Sequence, residues 1–145
     1  MSNMNKPNKF LPTTKEEMKQ RGWDELDVVL ITGDAYIDSP FMGIAVVGRI
    51  LEDMGLRVGI IGQPDVNSDV DINRMGEPKL FWGVSGGSID SMVSNYTATK
   101  RYRSTDDYTP GGKNDKRPDR ATLVYTNLIR RYFKNTVPIV LGGIE

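Results

Sequence analysis

The strongest structural signal in this sequence is the stretch DVVLITG at residues 27–33, a continuous apolar run of strand length. Runs of this kind are typical of parallel strands that are covered on both faces. A second run of the same kind follows at residues 57–62. The residues between them predict a helix with one apolar face, because apolar side chains recur there at spacings of three and four: Ile44, Val47, Ile50, Leu51 and Met54. Strand, helix and strand predict a right-handed βαβ unit.

The rest of the chain extends the same α/β pattern. Ser39 and Pro40 predict the start of the first long helix. Further strands are predicted at residues 79–84 and 138–143, and an amphipathic helix at residues 121–133. A shorter helix is expected after Ser88, with Ile89, Met92 and Val93. These elements predict an α/β fold with an open, mostly parallel sheet and flanking helices, flavodoxin-like and Rossmann-type in its three layers, with the first strand in a central position.

Length and composition limit the domain organisation and the chemistry. A chain of 145 residues suits one domain. We expect a flexible tail at residues 1–12 and a single α/β domain at residues 13–145. The formal net charge is zero, and the chain has neither cysteine nor histidine. Disulfides, cysteine-bound clusters, histidine-bound zinc and Ser-His-Asp triads are therefore excluded for this chain alone. The polar N-terminus is neither a signal peptide nor a membrane anchor, so we expect a cytoplasmic protein. Because cysteine and histidine are absent, we also expect no catalytic residues and no metal ligands in this chain.

Ligands of open α/β sheets bind outside the carboxyl ends of the strands, near the point where the strand order reverses. Glycine-rich turns follow the third and fourth predicted strands, and a carboxylate follows the first. The turn after the third strand predicts an anion cradle at a helix start; the alternative is a tight turn with Ser88 as helix cap. The carboxylate either binds a ligand or caps local N–H groups. The ligand-binding candidates are Asp34, Ser85, Gly86, Gly87, Ser88, Gly142 and Gly143.

The segment from residue 97 to residue 120 has no apolar periodicity and is unusually long for a loop within a domain. We expect it to be the least ordered internal segment. Seven cations and four anions lie between residues 100 and 120, with tyrosines interleaved. One interpretation is a solvated charged loop; the other is a contact surface for RNA or a phosphorylated ligand. The loop candidates for such binding are Arg101, Arg103, Tyr108, Gly111, Gly112 and Lys113.

A series of short motifs gives the sequence a family resemblance. They are FLPTT at residues 10–14, GWDELD at 22–27, TGDAY at 32–36, DSMV at 90–93, NYTA at 95–98, DYTPGG at 107–112, RPDRA at 117–121 and VLGGIE at 140–145. In this order they resemble the N-terminal region of the YgiQ family of radical SAM proteins, whose members are uncharacterised. The resemblance covers residues 10–145, nearly the whole chain.

The resemblance implies that the chain is truncated at its C-terminus, before a radical SAM barrel that is its partner. In the family, that barrel carries a Cys-x-x-x-Cys-x-x-Cys motif for a [4Fe-4S] cluster that cleaves S-adenosylmethionine. The N-terminal region is also similar to cobalamin-binding domains. Their Asp-x-His-x-x-Gly signature is missing, however, because Tyr36 stands at the histidine position after Asp34. Ser39 likewise stands where relatives are expected to have histidine.

Three functional hypotheses follow. The first is an accessory domain of a radical SAM protein that is not catalytic by itself. The second is an RNA- or nucleotide-binding module that acts through residues 97–120. The third is a domain that binds cobalamin or another small molecule at the strand ends. Because no element covers the sheet after the last predicted strand, we also expect the isolated chain to form a homodimer or to pack against a neighbour.

Overall fold

The computed structural model describes residues 10–37 and 43–145. Four helices and four strands lie in these ranges, with a short 3-10 turn at Pro110–Gly112. In chain order they are α1 (Lys15–Gln20), β1 (Val28–Thr32), α2 (Gly43–Asp53), β2 (Val58–Gly62), β3 (Phe81–Ser85), α3 (Ser91–Asn95), α4 (Ala121–Tyr132) and β4 (Ile139–Gly142). The predicted helix start at Ser39 and Pro40 lies outside the described residues.

The four strands form one parallel sheet in the order β2-β1-β3-β4. Val28 is level with Val58 on one side and with Phe81 on the other, so the carboxyl ends of the three strands meet at one edge. All five residues of β1 are buried, as the apolar run at residues 27–33 predicts. The predicted fold class and the central position of the first strand are confirmed.

The two faces of the sheet carry separate apolar clusters. The larger cluster contains Val29 and Ile31 of β1 together with Trp82 of β3 and Tyr125 of α4. The smaller cluster is packed under α2, and its buried members are Leu11, Val28, Leu30, Val58 and Ile60. Helices α4 and α2 therefore cover opposite faces, which gives the expected three layers.

The predicted apolar face of α2 is only partly the face that packs on the sheet. Ile44 and Leu51 contact the smaller cluster, whereas Val47, Ile50 and Met54 are exposed by 48%, 56% and 71%. Gly48 is the buried residue of the helix, and a β carbon there would lie 2.5 Å from a methyl group of Leu11. The helix therefore approaches the sheet at Gly48, and the spacing of its apolar residues does not predict this contact.

The prediction that the flexible tail extends to residue 12 is wrong for residues 11 and 12. Leu11 is fully buried in the smaller cluster, and its N–H donates to the hydroxyl of Tyr36 over 3.0 Å. The carbonyl of Pro12 accepts from the N–H of Ile60 over 3.0 Å. Residues 11 and 12 therefore belong to the domain, because Leu11 fills the space that Gly48 leaves beside the sheet.

The segment from residue 97 to residue 120 is a folded loop, so the expectation of least order there is wrong. Two antiparallel bridges close it, one between Tyr96 and Tyr102 and one between Thr105 and Lys113. Asn114 is buried, and its side-chain amide donates to the carbonyl of Arg103 over 2.9 Å. Hydrogen bonds, rather than an apolar helix or strand face, therefore hold this loop in its conformation.

Within the described ranges, no helix is long and apolar enough to cross a membrane.

Substitution of Leu11 by alanine tests whether the N-terminal segment is part of the core. We expect Leu11→Ala to lower the free energy of unfolding by about 2–5 kcal/mol, because it leaves a cavity against Gly48. Leu123→Ala is the matched control, since Leu123 is 55% exposed on α4, and we expect it to change stability by no more than about 0.5 kcal/mol. Urea unfolding followed by circular dichroism measures both. Equal effects would show that residue 11 lies outside the core.

Candidate functional site

The carboxyl ends of β1, β3 and β4 border a cavity of about 510 Å³. The structure brings six of the seven predicted ligand-binding candidates to this cavity. They are Asp34, Ser85, Gly87, Ser88, Gly142 and Gly143. Gly86 lies in the same turn but is not among the lining residues. The sequence thus located the place in the fold, while ligand binding there stays a prediction.

The walls of this cavity are mainly apolar. Leu30 and Phe81 of the sheet form its floor, Ile44 and Leu51 of α2 form one side, and Val140 of β4 forms the other. The polar candidates occupy the end at the carboxyl edge of the sheet. The cavity is therefore an apolar groove on the α2 face with one polar end.

The turn at residues 85–88 does not begin a helix, which corrects the predicted anion cradle. Helix α3 begins at Ser91, and its N-cap is Asp90, whose carboxylate accepts from the N–H groups of Met92 and Val93. Ser88 is thus not a helix cap, and no helix start faces the cavity at this turn. The helix therefore starts three residues later than Ser88, because Asp90 rather than Ser88 accepts the free N–H groups of its first turn.

The carboxylate of Asp34 occupies the place where the sequence predicted a bound anion. Both the backbone N–H and the hydroxyl of Ser88 donate to its Oδ2 over 2.7 Å. Asp34 is only 6% exposed. The turn therefore holds an anion that belongs to the domain itself, and this links the end of β1 to the end of β3.

Arg117 completes this arrangement from the long loop. Its side chain is fully buried, with Nη2 donating to Asp34 Oδ1 and Nη1 donating to the carbonyl of Gly86, both over 2.7 Å. Its Nε lies 3.4 Å from Asp106 Oδ2, an ion pair without hydrogen-bond geometry. One guanidinium group thus joins the loop to the ends of two strands.

Asp106 anchors the loop from the other side. Its Oδ1 accepts from the N–H of Tyr108 and its Oδ2 accepts from the hydroxyl of Thr109, both over 2.9 Å. The Thr109 hydroxyl in turn accepts from the side-chain amide of Gln63, directly after β2, over 2.6 Å. The ring of Tyr108 stacks on the guanidinium of Arg117 at 5.6 Å. The loop is therefore bound to the carboxyl ends of three strands.

Two glycines make this close packing possible. A β carbon on Gly33 would collide with the carbonyl oxygen of Gly86 and lie 2.7 Å from Arg117. Gly87 has a φ of +120°, and a β carbon there would lie 2.5 Å from Asp34 Oδ1. These glycines allow the turn at residues 85–88 to pack closely against the buried ion pair.

Glu145 connects the start of α4 to the start of α3. Arg120, the N-cap of α4, has left-handed φ and ψ and makes no side-chain cap. Instead, the N–H of Ala121 donates to the Ser91 hydroxyl over 3.1 Å, and the N–H of Thr122 donates to the Glu145 carboxylate over 3.3 Å. The Ser91 hydroxyl also donates to Glu145. The carboxylate thereby stabilises the positive end of the helix.

The predicted RNA-binding candidates do not form one surface with the cavity. Arg103 donates its Nε–H to the carbonyls of Val93 and Tyr96 over 3.2 Å and 3.1 Å. Lys113 is exposed and lies 3.7 Å from Asp115. Arg101 and Gly111 are exposed, Gly112 is partly exposed, and Tyr108 lies against Arg117. An RNA-binding role for this loop gains no support from these contacts.

Two tyrosines near the loop have perturbed acidity. The hydroxyl of Tyr96 donates to Asp119 Oδ2 over 2.6 Å, and this hydrogen bond raises the pKa of Tyr96. Burial raises the pKa of Tyr125, whose hydroxyl lies in the core without a hydrogen-bond partner. Both phenols therefore stay protonated at neutral pH. In the part of the chain that the structure describes, no three acidic side chains are grouped as metal ligands.

Sequence reasoning missed Arg117 and Asp106, which hold the site together. Arg117 was only one of seven cations in a charged segment, and spacing does not distinguish a buried arginine from a solvated one. The useful signal was Asp34 itself, because a carboxylate at the end of a central parallel strand requires a partner when it is buried.

Comparison with known proteins places the chain in a larger context. The family described as "Radical SAM N-terminal" matches residues 10–145. A UPF0313 protein from Thermotoga petrophila is 62% identical over 136 residues, which cover 94% of this chain and 24% of that protein. A UPF0313 protein from Fusobacterium nucleatum is 62% identical, with the same two coverages. A UPF0313 protein from Pseudomonas aeruginosa is 54% identical over 96% of this chain and 18% of its own length.

The chain thus spans about a quarter or less of the length of these relatives. No solved structure is significantly similar to it.

Removal of the buried guanidinium tests the role of Arg117. We expect Arg117→Met to lower the free energy of unfolding by about 3–5 kcal/mol, because it leaves the carboxylates of Asp34 and Asp106 buried without their counter-charge. Arg101→Met is the matched control at an exposed position, with an expected change of no more than about 0.5 kcal/mol. Chemical unfolding measures both variants. A stable Arg117→Met protein would contradict the structural role.

Proposed function

This chain belongs to the radical SAM N-terminal family, and we propose that it is an accessory domain of a longer radical SAM protein, without catalytic activity of its own. The observation that carries the proposal is the internal ion-pair network at the carboxyl edge of the sheet. Arg117 forms ion pairs there with both Asp34 and Asp106. Catalytic acids and bases in α/β domains normally lie at this edge and must reach a substrate; these groups are buried and already paired.

The composition supports the same proposal. Radical SAM chemistry starts at a [4Fe-4S] cluster held by cysteine thiolates, and this chain has no cysteine. We therefore propose that the cluster and S-adenosylmethionine are held by another part of the full-length protein, the barrel that the resemblance implies. The partner of this domain is then that barrel in the same polypeptide. The motifs also favour the narrower YgiQ family, and a cytoplasmic location stays a prediction.

The residues of this domain do not fit cobalamin as a histidine-ligated cofactor. The chain contains no histidine. Tyr36, at the histidine position of the signature, accepts the N–H of Leu11 with its hydroxyl. Asp34, which precedes it in the signature, is bound to Ser88 and Arg117.

Iron–sulfur reconstitution tests the accessory role. We expect the 145-residue chain to retain no cluster after anaerobic incubation with iron and sulfide, because it offers no thiolate ligands. Visible absorption near the cluster bands and an iron assay measure the outcome. The full-length polypeptide, treated in parallel, is the control and is expected to bind a cluster. A stoichiometric [4Fe-4S] cluster on the 145-residue chain would overturn the proposal.

A further inference from the structure

Half of the sheet face on the α2 side is uncovered in the described structure. Helix α2 packs on the smaller cluster of β1 and β2, while Val140 of β4 on the same face remains 52% exposed. Apolar side chains of α2 border the open half, with Val47 48% exposed. Both faces of parallel sheets are normally covered, so this apolar groove requires an occupant.

The handedness of the fold limits what the occupant can be. The crossover from β1 to β2 places α2 on one face, and the crossover from β3 to β4 places α4 on the other. These crossovers run in opposite directions along the sheet, as right-handed connections on opposite faces must. A further strand beside β4 would bring its crossover helix to the α4 face. A crossover helix leading to a strand beside β4 would therefore not fill the groove.

The polar end of the groove argues against a small polar ligand. The Thr32 hydroxyl accepts from the N–H of Asp34, and the Ser85 hydroxyl accepts from the N–H of Gly87, both over 3.2 Å. Asp34 and Ser88 bind each other. A small-molecule site needs a few convergent polar groups that orient the ligand, and each of these four side chains already has a hydrogen-bond partner within the domain.

We propose that the groove between α2 and β4 is the docking site for an amphipathic helix of the same polypeptide, from outside residues 1–145. This inference rests on the proposed function in one respect, that the domain is part of a longer chain. The relatives are about four times as long as the matched region or longer, so most of their chain is available to supply the helix. Linkage in one polypeptide favours such a segment over a second copy because its effective concentration is high.

Cysteine labelling in the full-length polypeptide tests the proposal. Val47→Cys and Val140→Cys place thiols in the groove, whereas Val46→Cys lies on the same helix, is similarly exposed at 53%, and does not line the groove. Labelling by a maleimide is followed for each engineered position by peptide mass spectrometry, in native buffer and in urea. We expect both groove positions to react at least tenfold more slowly than position 46 in native buffer, and all three alike in urea.

Three outcomes would overturn the proposal. The first is equal native labelling at the three positions, which means an open groove. The second is protection that increases with protein concentration, which assigns the groove to a second copy. The third is the same protection in the 145-residue chain, which would mean that a bound small molecule or the domain itself covers the groove. Cluster reconstitution gives an independent result, so failure of the docking proposal is distinguishable from failure of the accessory role.

Discussion

The structure depends on one buried cation. The guanidinium of Arg117 is removed from water and is balanced by Asp34 on one side and Asp106 on the other, with the carbonyl of Gly86 as a third contact. A buried charge is tolerated only when it is paired and hydrogen-bonded. The ends of β1 and β3 and the long loop must therefore lie where these bonds form. The close approach of Gly33 and Gly87 follows from the same requirement.

This constraint determines what the carboxyl edge of the sheet offers to other molecules. In many open α/β sheets, side chains at this edge are directed at a ligand. Here Asp34, Ser88 and Arg117 bind within the domain, and the groove beside them is lined mainly by apolar side chains. This arrangement is the basis of our proposals that the domain is accessory and that its groove binds a helix.

The features that the sequence predicted correctly are those with a local physical cause. The apolar run at residues 27–33 predicted a buried central strand, and the small residues after β3 and β4 predicted which residues meet around the cavity. The failures have a non-local cause. Ile50 is exposed because Gly48, rather than the larger apolar residues, packs α2 against Leu11 and the sheet, whereas Val47 is exposed because it borders the open groove. The folded state of residues 97–120 depends on the hydrogen bond between Arg117 and Asp34, which lies 83 positions earlier in the chain. Sequence periodicity does not predict a contact over such a distance.

A double-mutant cycle between Asp34 and Arg117 tests the central claim most directly. The free energy of unfolding is measured for Asp34→Asn, Arg117→Met and the double variant. If the two side chains form a structural ion pair, the single effects are not additive, and the cycle yields a coupling energy of about 1–3 kcal/mol. A coupling energy near zero, with the two effects simply adding, would contradict the account and would show that the pair does not hold the carboxyl edge of the sheet together.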